Sequence, residues 1–324
     1  MNLIRALAAA LLLLLLALPS WPQAPARIAL IWPGRADEAA LYLSEFRRGM
    51  HENGLTEGKE FVLDQRFAEG RYERFPALVD EMLKRDPAII MVVTIASVQA
   101  AQRATRTVPI VFVSTNDPVG SGLVDSLARP GGNSTGLSNQ NEDLVPKYLQ
   151  QLRETLPRAS RIAVLSNPGN ASNPKMAERV RELSAGLGIA ARVFEASSLE
   201  AVDAALGAIT QHRPDGLLVL PDAMLSARRD RISEIALRNR FPVFVASAAE
   251  IVATGMLMSY GTRRSELYFR AANYVKKILG GARPGELPVE QPTRFELIIN
   301  MRTARALGLT IPQALLLRAD EVIE

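Results

Sequence analysis

The chain contains no cysteine, and that absence closes several routes at once. A disulfide framework, a thiolate metal site and a lipid-modified N-terminal cysteine are all excluded. Histidine is nearly as scarce: only His51 and His212 are present, too few and too isolated for a transition-metal site. No P-loop occurs, and no paired carboxylates stand out for acid–base work. Nor does one sign of charge dominate, because 38 Lys and Arg against 34 Asp and Glu leave a formal net charge of +4. The basic clusters Arg228-Arg229-Arg231 and Arg263-Arg264 sit among acidic neighbours, so they read as solvated helix faces and not as a nucleic-acid footprint. No cofactor and no nucleic-acid partner are expected.

Long apolar runs are limited to the N-terminus. Met1–Arg5 is short and positive, Ala6–Leu18 is apolar with Leu11–Leu16 unbroken, and Pro19 and Ser20 end the run. Small residues at Ala24 and Ala26 complete the pattern of a cleaved secretory signal, expected over residues 1–26. The 13 apolar residues are too few for a hydrocarbon core of about 30 Å, so no stable membrane insertion is expected after cleavage. Export of a soluble chain with no lipid anchor points to a bacterial periplasm.

What the chain does have is an alternation of short apolar runs and longer amphipathic stretches. Strands are expected at Arg27–Trp32, Phe61–Phe67, Ala88–Val93 and Pro109–Val113, then again at Arg161–Leu165, Ala190–Phe194, Gly216–Leu220, Pro242–Val245 and Met256–Tyr260. Helical patterns fall between them at Glu38–Glu52, Arg74–Arg85, Ser97–Arg106 and Met176–Leu187. Continuous apolar, β-branched strands suit a parallel sheet covered on both faces, and alternating βαβα gives an α/β fold.

The two halves echo each other. Arg27-Ile28-Ala29-Leu30-Ile31 matches Arg161-Ile162-Ala163-Val164-Leu165; the Pro87 run matches the Pro214 run; Val108–Ser114 matches Phe241–Ser247. Offsets of 134, 127 and 133 residues in constant order argue for two lobes of one topology. The expected division is 27–137 plus about 262–284 for the first lobe, and 138–261 plus about 285–324 for the second. The chain then crosses near Ser134–Asn141, again near Tyr260–Thr262, and a third time after Gly280–Gly285. Several adjacent crossovers make a hinge.

Two apparent motifs fail on context. Gly132-Asn133-Ser134-Thr135-Gly136 fits the G-x-S-x-G nucleophile elbow, which needs a strand before the serine and a helix after it. Here a Pro-Gly-Gly loop precedes the serine and an extended segment follows. Gly186-Leu187-Gly188 imitates a dinucleotide fingerprint but runs helix, turn, strand, as a helix C-cap does. The chain reads as non-catalytic.

A ligand in an open α/β sheet binds outside the carboxyl ends of the strands. Small polar residues gather there. The candidates in the first half are Trp32, Thr94, Ser97, Ser114, Asn116 and Asp117, with Ser138 and Asn139 at the join. In the second half they are Asn167, Asp222, Ser247 and Tyr260. Asp222 is placed to pair with a ligand ammonium, the start of the helix near Ser97 to receive a carboxylate, and Trp32 to stack on a ligand. Ser97, Asn167 and Asp222 equally suit helix caps, Asp117 a turn before Pro118, and Trp32 interlobe packing.

Longer stretches resemble a known family. They are Gly70-Arg71-Tyr72-Glu73-Arg74, Asp117-Pro118-Val119-Gly120, and the run from Gly122-Leu123-Val124-Asp125 to Asn133-Ser134-Thr135-Gly136. The tail from Asn300-Met301-Arg302 to Thr310-Ile311-Pro312, with Arg318–Ile323, belongs with them. These resemble the ABC transporter substrate-binding proteins of the tryptophan/tyrosine/phenylalanine type, within the type I periplasmic-binding-protein superfamily. The resemblance implies two Rossmann-like lobes with parallel sheets and a multi-crossover hinge, the Venus-flytrap architecture. It also implies a small-molecule ligand, an amino acid or related carboxylate, delivered to a membrane permease with its ATPase. Where that family often carries a Gly-Thr-Pro-like stretch after the third strand, this chain reads Thr94-Ile95-Ala96. The sensory subunit of a signalling receptor shares the fold and export; an exported α/β hydrolase is the more distant alternative.

Overall fold

The computed structural model describes residues 24–246 and 254–324. Most of the expected signal segment and Ser247 lie outside the described residues. Two sheets carry the fold. The first contains β1 (Ala26–Trp32), β2 (Phe61–Phe67), β3 (Ile89–Val92), β4 (Ile110–Thr115) and β5 (Ser134–Ser138), all parallel, in the order β2-β1-β3-β4-β5. The second contains β6 (Arg161–Ser166), β7 (Ala190–Glu195), β8 (Gly216–Val219), β9 (Val243–Val245), β10 (Met258–Gly261), β11 (Glu296–Asn300) and β12 (Glu321–Ile323). Its order is β12-β11-β10-β9-β8-β6-β7, and only β10 and β11 run antiparallel.

The sequence echo is a topological one. β6, β8 and β9 occupy in the second sheet the places that β1, β3 and β4 hold in the first. In each, the chain starts centrally, steps outward once, then reverses, which leaves a crevice at the carboxyl ends beside the reversal.

Side-chain alternation shows why the strands are apolar throughout. Ile28, Leu30 and Trp32 pack into the core on one face of the first sheet, with the helix Ala36–Glu52. Ala29 and Ile31 pack into the core on the other face, with the helices Phe75–Leu83 and Ile95–Ala104. In β6, Ile162 and Val164 face one core and Ala163 and Leu165 the other. Period-two projection into two cores makes every position of such a strand apolar.

The lobes are joined by three crossings. The first follows β5 through Asn139–Asn141. The second follows β10 at Thr262, whose hydroxyl donates to Asn139 O at 3.1 Å, so the first two crossings touch. The helix Arg264–Leu279 then returns to the first lobe and packs on Ala36–Glu52. Gly49 permits that approach: a Cβ there would lie 2.3 Å from Phe269 O. The third crossing lies later than the expected position after Gly285. Val289 N donates to Leu127 O at 2.7 Å and Glu290 N to Gly136 O at 3.0 Å, so the chain through Glu290 stays on the first sheet. The glycines have other work: Gly280 and Gly281 end the helix, and Gly285 lies against Gly131 and Gly132 of the first lobe, where a Cβ would be 2.8 Å from Gly132 O.

Candidate functional site

Between the lobes, at the carboxyl ends of both sheets, lies a cleft of about 290 Å³. That volume is near the lower end of small-molecule pockets, which run from about 300 to 1,000 Å³. Its first-lobe wall is mixed: Trp32 at the end of β1, Pro33, Leu41, Tyr42, Val93 and Ile95 give an apolar patch, beside the Asp37 and Glu38 carboxylates and the polar Thr94, Ser114, Asn116 and Asn139. Its second-lobe wall is polar, with Asn170, Ser172, Asp222, Ser226 and Arg229.

The expected residues divide into those that line the cleft and those that do not. Trp32, Thr94, Ser114, Asn116, Asn139 and Asp222 line it. Trp32 stacks on Tyr42 with ring centroids 5.3 Å apart, and Tyr268 closes the cluster at 5.8 Å. Thr94 is the N-cap of Ile95–Ala104, and its Oγ1 accepts from Ser97 N at 3.2 Å. Ser114 has a left-handed backbone, φ 60°, at a bulge in β4. Its carbonyl accepts from Asn139 Nδ2 at 2.7 Å. Asn116 Nδ2 donates to Glu142 Oε1 at 3.2 Å, while Asn116 Oδ1 is buried without a hydrogen-bond partner among the described residues. An acceptor left so is costly unless a ligand donor meets it.

The others are placed elsewhere. Ser97 is fully buried; its hydroxyl accepts from Thr94 N at 3.0 Å and donates to Thr94 O at 2.8 Å, completing a capping box. The helix therefore starts at Ile95, before the expected Ser97, because the Thr94 hydroxyl is free to cap it. Asp117 shapes a turn by accepting from Gly120 N at 2.8 Å. Ser138 is buried within β5, and Tyr260 packs beside Tyr148 and Phe295 in the second-lobe core. Asn167 acts one step back: its Nδ2 donates to Asp222 Oδ2 at 3.1 Å.

Asp222 is the chemical centre of the polar wall. It caps the short helix Ala223–Ala227 through Oδ1, which accepts from Leu225 N at 3.0 Å. Oδ2 accepts from Tyr72 OH at 2.8 Å, from Asn167, and from Asn170 Nδ2 at 3.4 Å. All these partners are neutral. Burial therefore pushes the Asp222 carboxyl above its ordinary range, opposed by the Tyr72, Leu225 and Asn167 donors. A buried carboxylate that meets only neutral donors among the described residues is a place for a ligand cation.

Two cationic residues line the same cleft. Arg229 faces Glu38 across the lobes at 3.6 Å, and the Arg264 guanidinium lies 5.5 Å from the Tyr42 ring centroid. Both belong to the basic clusters expected on solvated faces. The correction has a local cause: each arginine sits at the first turn of a helix that opens on the cleft. Sequence reasoning also missed Tyr42, Asn170 and Tyr72. Tyr42 and Asn170 follow β1 and β6, so the carboxyl-end rule, extended by one helix or loop, would have reached them.

Ser134, the nucleophile of the apparent elbow, is the first residue of β5 and is buried, with its hydroxyl accepting from Gln102 Nε2 at 2.9 Å. Gly188 takes a left-handed φ of 68° just past the helix Asn173–Gly186, as a C-cap requires. Among the described residues no group of three or more His, Asp or Glu could hold a metal, and no helix is long and apolar enough to cross a membrane.

Comparison with known proteins places this geometry. Residues 29–323 match the family model described as ABC transporter substrate binding protein. A tyrosine-binding protein of Clostridioides difficile (strain R20291) is 25% identical over 264 residues, 82% of this chain and 75% of the relative. A conserved domain protein from Vibrio cholerae O1 biovar El Tor superposes with a TM-score of 0.85 at 30% identity, over 92% of this chain and 99% of that one. A Streptococcus pneumoniae ABC domain in complex with L-Trp gives 0.84 at 22% identity, over 93% and 100%.

Proposed function

Since the chain belongs to the ABC transporter substrate-binding protein family, we propose that it captures an amino acid or related zwitterion between its lobes and delivers it to a membrane permease with its ATPase. The observation that carries this reading is Asp222, a buried carboxylate in the cleft whose partners are all neutral. A ligand ammonium supplies the missing charge. The cleft residue Arg264 and the capped start of Ile95–Ala104 supply the positive potential for a carboxylate. The Trp32–Tyr42 wall receives an apolar side chain. The amino-acid ligands of the C. difficile relative and of the S. pneumoniae complex support this direction.

Proteins of this family work outside the cytoplasmic membrane; here the N-terminal segment with its A-x-A pattern supports the periplasm. Capture without turnover is supported by the one serine in an elbow-like pattern, which is buried in a strand. Calorimetric titration of the chain from Arg27 onward with amino acids tests the zwitterion directly. A bound amino acid should lose most of its affinity when its amino group is acetylated, and again when its carboxyl group is removed. Undiminished binding of both blocked forms would refute the reading.

A further inference from the structure

Tyr72 stands in a single turn, Tyr72–Arg74, between β2 and the helix Phe75–Leu83 of the first lobe. Its ring lies 5.3 Å from that of Phe75, and its hydroxyl reaches across the cleft to Asp222 Oδ2 at 2.8 Å. The partners are 150 residues apart and belong to different lobes. Other polar contacts join the lobes around the cleft, but they are longer. Glu38–Arg229 spans 3.6 Å, and Asp117–Lys175 spans 3.7 Å with the Lys175 side chain 66% exposed. An ion pair as long and as exposed as Asp117–Lys175 contributes little, and the better-buried Glu38–Arg229 pair is stretched beyond hydrogen-bond length.

We propose that Tyr72 is the latch of the closed cleft, a positioning residue that holds the lobes together by donating to the same carboxylate that meets the cargo. The two oxygens of Asp222 divide the work. Oδ2 is filled by Tyr72, Asn167 and Asn170, whereas among the described residues Oδ1 takes only Leu225 N and keeps acceptor capacity for a cargo group. A cationic group at Oδ1 keeps the carboxylate charged, and a hydrogen bond to a charged acceptor is stronger than one to a neutral acceptor. Cargo therefore tightens the latch. That coupling rests on the zwitterion reading; the latch itself does not.

The test is made without ligand, so its failure and the failure of the zwitterion reading are separate results. The cysteine-free chain accepts a clean pair of spin labels at Lys84→Cys in the first lobe and Ala204→Cys in the second, both exposed. Tyr72→Phe keeps the ring against Phe75 and removes only the donor. The expected result is a shift of the interlobe distance distribution to longer values, with the closed-to-open ratio falling about tenfold. In an Asp222→Ala background the same substitution should add nothing. A distribution unmoved by Tyr72→Phe, or a shift that persists undiminished without Asp222, overturns the proposal; thermal melts establish that each variant is folded.

Discussion

The Asn139 side-chain amide donates to the Ser114 carbonyl at 2.7 Å, which ties the first crossing between the lobes to the bulge that ends β4. Asn139 Oδ1 accepts from Asn141 N at 3.2 Å, so one side chain organises the crossing and a cleft residue together. Removing it leaves the Ser114 carbonyl without that donor, a penalty of about 1–3 kcal/mol. Asn139→Ala should lower the thermal midpoint and weaken ligand binding, both measurable on one sample by calorimetry. Asn139→Ala with wild-type midpoint and affinity would show that the crossing is held by other contacts.

The chain has two tryptophans, and cleavage near Ala26 would leave Trp32 alone. Because Trp32 lines the cleft, the intrinsic fluorescence of the mature protein reports on the cleft directly. Ligand should shift or quench that emission, and Trp32→Phe should abolish the signal while calorimetry still detects binding.

Ser97 and Asp222 should separate stability from affinity. Ser97→Ala breaks the capping box and costs about 0.5–2 kcal/mol of stability with little change in ligand affinity. Asp222→Asn keeps the shape but removes the charge, so affinity for an amino acid should fall at least tenfold. Equal affinity losses in both variants would return Ser97 to the ligand site.

Glu142 lies in the turn Asn141–Leu144 after the first crossing, half-buried. Burial, then the neighbouring Asp117 carboxylate, raises its pKa from 4.5 to about 7, with Lys175 opposing and Asp143 adding to the rise. A raised carboxyl favours the folded, closed form while protonated. Its contribution is therefore complete below pH 4.5 and is lost as the pH climbs through about 7. After allowance for screening, that loss is on the order of 1–2 kcal/mol. Glu142→Gln should flatten this part of the stability profile between pH 5 and about pH 8 in denaturant titrations. A wild-type profile in the variant would assign the pH dependence to other groups.

Gly49 sets the contact between the helices Ala36–Glu52 and Arg264–Leu279. Gly49→Ala places a methyl against Phe269 O and should cost about 1–3 kcal/mol, read as a lower denaturation midpoint. An unchanged midpoint would mean that the second helix can withdraw without loss.

The fold was legible wherever burial on both faces made strands continuously apolar. β1, β3, β4, β6, β8 and β9 follow that rule, while the edge strands β2 and β7 carry Asp64, Gln65, Arg66 and Arg192 among their apolar residues; the repeated offsets disclosed two lobes of one topology. β11 and β12 escaped notice for physical reasons. β11 carries the buried Glu296, which pairs with Arg263 at 2.7 Å, so its pattern is broken by charge. β12 is three residues long with Glu321 exposed. In the cleft, the carboxyl-end rule reached Trp32, Thr94, Ser114, Asn116, Asn139 and Asp222 because backbone topology alone places those positions. It missed Tyr72 because that residue lies in a turn beyond the end of β2, past the positions next to the strand, and only the folded arrangement brings it to Asp222.

Capture of a zwitterion is tested most directly by a thermal-shift screen of the chain from Arg27 onward against amino acids, other carboxylates, sugars and nucleosides. A cleft built around Asp222 and Arg264 predicts a raised midpoint with one class of amino acid, equivalent to about 2.7 kcal/mol at a hundredfold excess over the dissociation constant. A midpoint that no amino acid moves, but that a sugar or nucleoside raises, would contradict it.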